Sequence, residues 1–210
     1  MKKRVVTIVC CSLFLTVPAI CLGASGLYGS VGAGVIWIAD ADTTETDGIT
    51  TVNYDTEFGA GYGVGLALGY MMENIRFEGE VSYQKSDIDN FVYMGVTYPA
   101  EAEISSTAFM INGYYDFTND TSWSTYITAG IGVTNVNIEN SAIGEDADDT
   151  VFAYQIGAGI GYALNETVTL DCGYRYRGAA NPEFGWSGGI TTEAEVASHN
   201  LIVGFRILFN

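Results

Sequence analysis

Positive charge is what this sequence has least of. The 210 residues include eight lysines and arginines against 25 aspartates and glutamates, and three of the eight cations are Lys2, Lys3 and Arg4. Beyond the amino-terminal segment only Arg76, Lys85, Arg175, Arg177 and Arg206 remain, five cations against 25 anions and a formal net charge of −20. Such a chain cannot neutralise a run of phosphates, which excludes nucleic acid as a partner. Cysteine is nearly absent too: Cys10, Cys11 and Cys21 belong to the amino-terminal segment, so an exported chain keeps Cys172 alone and can form no internal disulfide. No stretch after residue 24 sustains a helical period, which argues against a helical fold.

What is present begins with a leader. Met1, Lys2, Lys3 and Arg4 precede an uncharged apolar run from Val5 to Leu22, followed by Gly23, Ala24, Ser25 and Gly26. That layout is a signal peptide, and the run is short for a membrane-spanning helix of about 20 residues. The boundary falls at 23–25, giving a signal peptide over 1–24 and one domain over 25–210.

Alternation with period two then recurs along the chain. Phe58, Ala60, Tyr62, Val64, Leu66, Leu68 and Tyr70 share one face, with Gly59, Gly61, Gly63, Gly65, Ala67 and Gly69 on the other. A strand of a water-soluble sandwich would set polar side chains opposite its apolar face. Here the opposite face is nearly bare, which suits a narrow interior crowded by side chains from elsewhere. Ile75, Phe77, Gly79, Val81 and Tyr83 alternate in turn with Arg76, Glu78, Glu80, Ser82 and Gln84. Further strands are read at about 27–39, 104–117, 123–137, 151–164, 168–178 and 196–209, which makes eight. An even number of alternating segments of roughly ten residues is the signature of an all-β, eight-stranded antiparallel up-and-down transmembrane barrel.

The links between segments alternate in length. Short ones lie near Met71–Asn74, Thr118–Ser122 and Asn165–Thr167; long ones occupy about 40–56, 86–103, 138–150 and 179–195. Short periplasmic turns and long extracellular loops give this rhythm, with both chain ends periplasmic. An internal echo supports the hairpins: Gly65-Leu66-Ala67-Leu68-Gly69-Tyr70 before the first short link resembles Gly157-Ala158-Gly159-Ile160-Gly161-Tyr162 before the third. Aromatic residues such as Trp37, Tyr70, Tyr83, Tyr115, Trp123, Tyr162, Tyr176 and Phe209 fall near strand ends, as interfacial girdles do.

The stretches GYGVGLALGYMMENIRFEGEVSY (61–83), INGYYDF (111–117), STYITAGIGVTNV (124–136), GAGIGYALNETVTLDCGYRY (157–176) and SHNLIVGFRILF (198–209) carry a family resemblance. They resemble the small outer-membrane β-barrel superfamily of OmpA/OmpX-like, opacity-protein and surface-antigen type. The likeness covers essentially the whole of 25–210 and specifies a barrel rather than an activity. It implies adhesion, antigenic surface display or envelope stability. Implied partners are outer-membrane lipid and lipopolysaccharide, the barrel-assembly machinery, and a host or cell-surface ligand at the loops. In that family the last strand ends on an aromatic residue that the assembly machinery recognises; here Phe209 is penultimate and Asn210 follows. With no further domain after the eighth strand, a wall-anchoring role is not expected.

Two constellations are candidates for chemistry. The inward parity collects Arg76, Glu78, Glu80, Asp116, Asp171, Arg175, Arg177 and Arg206, four cations and four anions in a chain otherwise rich in acid. These are expected to form a paired network filling the lumen, with Glu78 or Glu80 and Asp171 accepting from Arg76, Arg175 and Arg206; a gate or ion path is the competing reading. Arginine suits such packing because its planar fork can bond two carboxylate oxygens. The long links hold most of the negative charge, and Glu145, Asp146, Asp148 and Asp149 are a candidate weak cation-binding loop of hard oxygen ligands, bridging to the phosphates of lipopolysaccharide. The single histidine, His199, follows Ser198 and is read as inert, because nucleophilic catalysis needs nucleophile, base and orienting group in contact. No enzyme activity and no cofactor are expected. The rivals to a structural or surface-interaction protein are a narrow channel for small or apolar solutes and a soluble lipocalin-type carrier, the latter opposed by the apolar outward faces.

Overall fold

The computed structural model describes residues 25–141 and 144–209. The signal peptide expected over 1–24 lies outside the described residues. Eight long strands form the barrel: β1 (Gly26–Ile38), β4 (Ala60–Met72), β5 (Ile75–Tyr93), β6 (Val96–Phe117), β7 (Trp123–Asn140), β8 (Glu145–Ala163), β9 (Val168–Ala179) and β12 (Val196–Phe209). Four shorter ones are β2 (Ala41–Thr46), β3 (Thr51–Phe58), β10 (Glu183–Gly185) and β11 (Thr191–Ala194). The ring runs β5-β4-β1-β12-β9-β8-β7-β6 and closes through β5–β6, every pairing antiparallel. Leu27 opposes Phe209, so the first and last strands seal the wall. Closure leaves no edge strand in the ring, so the ladders pair the wall's backbone groups strand to strand, as hydrocarbon requires.

Alternation divides the wall as the sequence pattern predicts. Leu66, Leu68, Phe109 and Ile111 face outward, Ile111 being 70% exposed, while glycines and polar residues face the lumen. Outward aromatic pairs mark both rims: Trp123 with Tyr162 and Tyr115 with Phe117 at the short-turn end, Tyr154 with Tyr176 at the other. Room inside is set by register. Tyr28 on β1 lies opposite Gly69 on β4, and Tyr126 on β7 lies opposite Gly159 on β8. Each tyrosine ring leans across its glycine, so a Cβ on Gly69 or Gly159 would come within 2.4 Å of the ring.

The long links differ from the open loops expected. Residues 86–103 continue β5 and β6 to a two-residue turn at Met94-Gly95, where both residues have positive φ (50° and 75°), as a type I′ hairpin turn requires. Pairing of β7 with β8 likewise extends to Asn140 and Glu145. In the first link β2 and β3 form a hairpin whose turn is fixed by Asp47, its Oδ1 accepting from the amides of Ile49 at 2.8 Å and Thr50 at 2.6 Å. These bonds hold the Asp47 carboxyl below its ordinary range. Continued pairing satisfies the backbone groups that an open loop would leave to water.

The short strands take over from the four that stop. Where β4 ends, β3 pairs with β5 from Phe58↔Ile88 onward; β2 pairs with β3, β11 with β2 and β10 with β11. Across the remaining gap Glu183 N donates to Asp149 Oδ2 at 2.9 Å and Ala180 N to Phe152 O at 2.8 Å. The wall thus rises beyond the aromatic rim as a cup, with Ile88, Ala102, Ile104, Val136, Ala147 and Phe184 buried within it.

Candidate functional site

The lumen is layered from the short-turn end upward. Arg76 on β5 grips Asp116 on β6 with both arms of its fork, Nε to Oδ2 at 2.6 Å and Nη2 to Oδ1 at 2.9 Å. Its guanidinium also lies over the Tyr114 ring, 4.1 Å from the centroid. Arg206 on β12 reaches Asp171 at 3.4 Å and Asp116 at 3.9 Å. One level up, Glu80 receives Arg175 Nη1 at 2.6 Å, Arg177 Nη2 at 3.1 Å and Asn112 Nδ2 at 2.9 Å.

All eight charged residues of the inward set line the lumen, Arg175 meeting Glu80 and Arg206 meeting Asp171, but the partner of Arg76 differs from those expected. Arg76 pairs with Asp116, not with Glu78, Glu80 or Asp171, because cross-strand geometry puts β6 beside β5 at that depth. Glu78 has no arginine among its hydrogen-bond donors; it accepts instead from Tyr28, Tyr114 and Asn112. Sequence reasoning missed these neutral members, along with Tyr126, Gln155 and Asn200. Gln155 ties Asn112 to Arg177, and Asn200 accepts from Gln84 at 2.8 Å. The signal was available, since all of them share the inward parity of the charged set.

Little space remains between these side chains: the lumen keeps a void of about 80 Å³ lined by both charged and apolar residues, room for a few waters. Above the Gln84, Ser198 and Asn200 layer come Ile104 and Val136, both buried and apolar.

Strand alternation separates the acids of the candidate cation loop. Glu145 and Asp149 share the inward parity of buried Ala147, whereas Asp146 and Asp148 are exposed on the outer face. Glu145 accepts from Ser187 N at 3.1 Å, Asp148 from Asn135 at 2.8 Å and Asp149 from Glu183 N. The four therefore do not converge, and among the described residues no three histidine, cysteine or acidic side chains are placed to hold a metal. The bonds from Ser187 keep the Glu145 carboxyl below its ordinary range. On the opposite wall burial, reinforced by the Glu45 carboxylate, raises the Tyr54 phenol.

Ser198 and His199 also part company, as neighbours on a strand must. Ser198 is buried in the lumen beside Gln84 and Asn200, while His199 turns outward, its Nδ1 2.6 Å from Tyr174 Oη.

Known proteins resemble this chain in sequence and in fold. Over 122 residues the chain is 30% identical to outer membrane protein PagN of Salmonella typhimurium, a match spanning about half the length of each chain. The outer membrane protein OprG of Pseudomonas aeruginosa superposes with a TM-score of 0.63 at 14% identity, over 88% of this chain and 97% of that one. Neisserial surface protein A does so with a TM-score of 0.55 at 21% identity, over 88% and 98%. At such identities the two structures speak for the fold alone. Residues 7–208 match the family described as the outer membrane protein beta-barrel domain. With that match covering nearly the whole chain, and a closed eight-stranded wall to go with it, the protein belongs to this family of bacterial outer-membrane barrels.

Proposed function

We propose that this protein is a plugged outer-membrane barrel whose acidic cup stands outside the cell as an interaction surface. The observation that carries this reading is the stacking of a charge-balanced network beneath an apolar layer, under a wall extended by paired hairpins. A water-filled pore has no need of four arginines bound to Asp116, Asp171 and Glu80 inside its wall, and eight strands enclose only as much space as side chains can fill. Outer-membrane lipid and lipopolysaccharide surround the wall, and the barrel-assembly machinery takes the strand ending at Phe209. A cell-surface or host ligand is the partner for the cup.

Orientation follows from loop length, with the short turns periplasmic. An epitope inserted near Gly144 is therefore expected to be reached by antibody on intact cells, and one near Asn119 only after the outer membrane is opened. The opposite labelling pattern would overturn the topology. In planar bilayers the unmodified protein should show no steady conductance. Stable ion-selective channels would instead favour the narrow-channel reading.

A further inference from the structure

Above the apolar layer the cup encloses a cavity of about 300 Å³, the size at which small-molecule sites begin. Buried Ile88, Ala102 and Ile104 form its floor, apart from the ionic lumen below. Four aromatic residues, Tyr54, Phe58, Phe91 and Trp186, line it. Tyr54 and Phe91 meet edge to face with centroids 5.6 Å apart, and the Trp186 indole is fixed by its Nε1–H donating to Thr192 Oγ1 at 2.9 Å. Glu45 and Glu145, both partly exposed, stand at the rim, and no lysine, arginine or histidine is among the lining residues. Tyr54 Oη donates to Glu45 at 3.4 Å, so one carboxylate sits directly beside an aromatic ring.

We propose that this cavity binds a small organic monocation with an aromatic body, an arylalkylammonium ion being the simplest case. Apolar rings and floor bury the body, the ring faces attract the cationic end, and the rim carboxylates pair with the ammonium. A neutral molecule of the same shape gains only the first of these, and an anion is repelled by both glutamates. The inference goes beyond a general surface-interaction role. It depends on the cup but not on which way the cup faces, so binding to purified protein and labelling on cells can fail separately.

Titration calorimetry of the full barrel in detergent, with protein-free micelles subtracted, tests it using 2-phenylethylammonium, 2-phenylethanol and phenylacetate. The ammonium ion is expected to bind once per barrel, at least about 10-fold more tightly than the alcohol, with no binding of phenylacetate. Glu45→Gln combined with Glu145→Gln should bring ammonium and alcohol to equal, weak affinity. Filling the cavity with Ala194→Phe should abolish both, the fold being checked by faster migration of unboiled protein on an SDS gel. Should that variant not fold, Trp186→Phe gives a second readout: the ligand-induced change in tryptophan emission should vanish although Trp37 and Trp123 remain. Equal binding of alcohol and ammonium, ammonium binding that survives in folded Ala194→Phe, emission changes that persist without Trp186, or no saturable binding up to roughly 10 mM would each overturn the proposal.

Discussion

Replacing Glu80 with alanine is expected to lower the stability of the barrel by about 3–5 kcal/mol, a loss read as a shift of the urea unfolding midpoint in lipid vesicles. Glu80 is a buried carboxylate that two arginines share, Arg175 at 2.6 Å and Arg177 at 3.1 Å. Removing it leaves both cations inside the wall with neutral hydrogen-bond partners, Tyr114 Oη for Arg175 and Gln155 Oε1 for Arg177. The pairs themselves need not be a large net gain, since desolvating the charges offsets much of their attraction; the cost lies in stranding what is left. Lys85–Glu103 is the internal comparison. Its ends meet at 2.7 Å, yet the side chains are 30% and 40% exposed, so Glu103→Gln should cost under about 1 kcal/mol. If the two variants shift the midpoint equally, the lumen network is not what holds this wall together.

Gly159→Leu should have a still larger effect, preventing assembly of the closed form, so that boiled and unboiled protein migrate alike on an SDS gel. A Cβ there would sit 2.4 Å from the Tyr126 ring and 2.6 Å from the Cys172 carbonyl oxygen. The ring is buried and the carbonyl belongs to the β8–β9 ladder, so neither neighbour can yield cheaply. Overpacking costs about 1–3 kcal/mol where the surroundings can adjust, and more where backbone is struck. At Gly79, by contrast, a Cβ would meet nothing within 4 Å. Gly79→Leu adds an apolar side chain to the lipid face and should leave assembly intact. Normal heat-dependent mobility of Gly159→Leu would show that the lumen yields more readily than its packing implies.

These two glycines show how far the sequence can be read. Both lie in strands of clear alternation, and parity alone assigns Gly159 to the inner face and Gly79 to the outer. Parity does not say that Tyr126 leans across Gly159, because that depends on the register between β7 and β8, which is set by closure of the whole ring. The ion pairs follow the same rule. The eight charges could be picked out because the ring strands carry them on the inward parity while their outward positions are apolar, but whether Arg76 reaches Asp116 or Glu80 depends on which strands are neighbours at that depth. Glu78, satisfied by Tyr28, Tyr114 and Asn112, shows that neutral donors can take a place that charge counting gives to an arginine.

The cup was the least legible part. Residues 86–103 read as a loop because their acids and polar residues interrupt the apolar pattern, and pattern is all that a single strand offers. Outside a membrane a paired strand needs no apolar outer face, so the same backbone continues with Ser86, Ile88, Ala102 and Ile104 inward and charge outward. Likewise the acids at 145–149 looked like one cluster in one dimension, and alternation sends them to two faces. By itself the sequence determined the strand period, the number of ring strands, the lipid-facing residues and the charges available to the lumen, because each follows from alternation along a single strand. Tertiary structure alone decided the partners of those charges, the takeover of the wall by β2, β3, β10 and β11, and the cavity they enclose. Each of these depends on register between strands distant in sequence, and register is fixed only when the ring closes and each interior side chain must fit beside those of its neighbours.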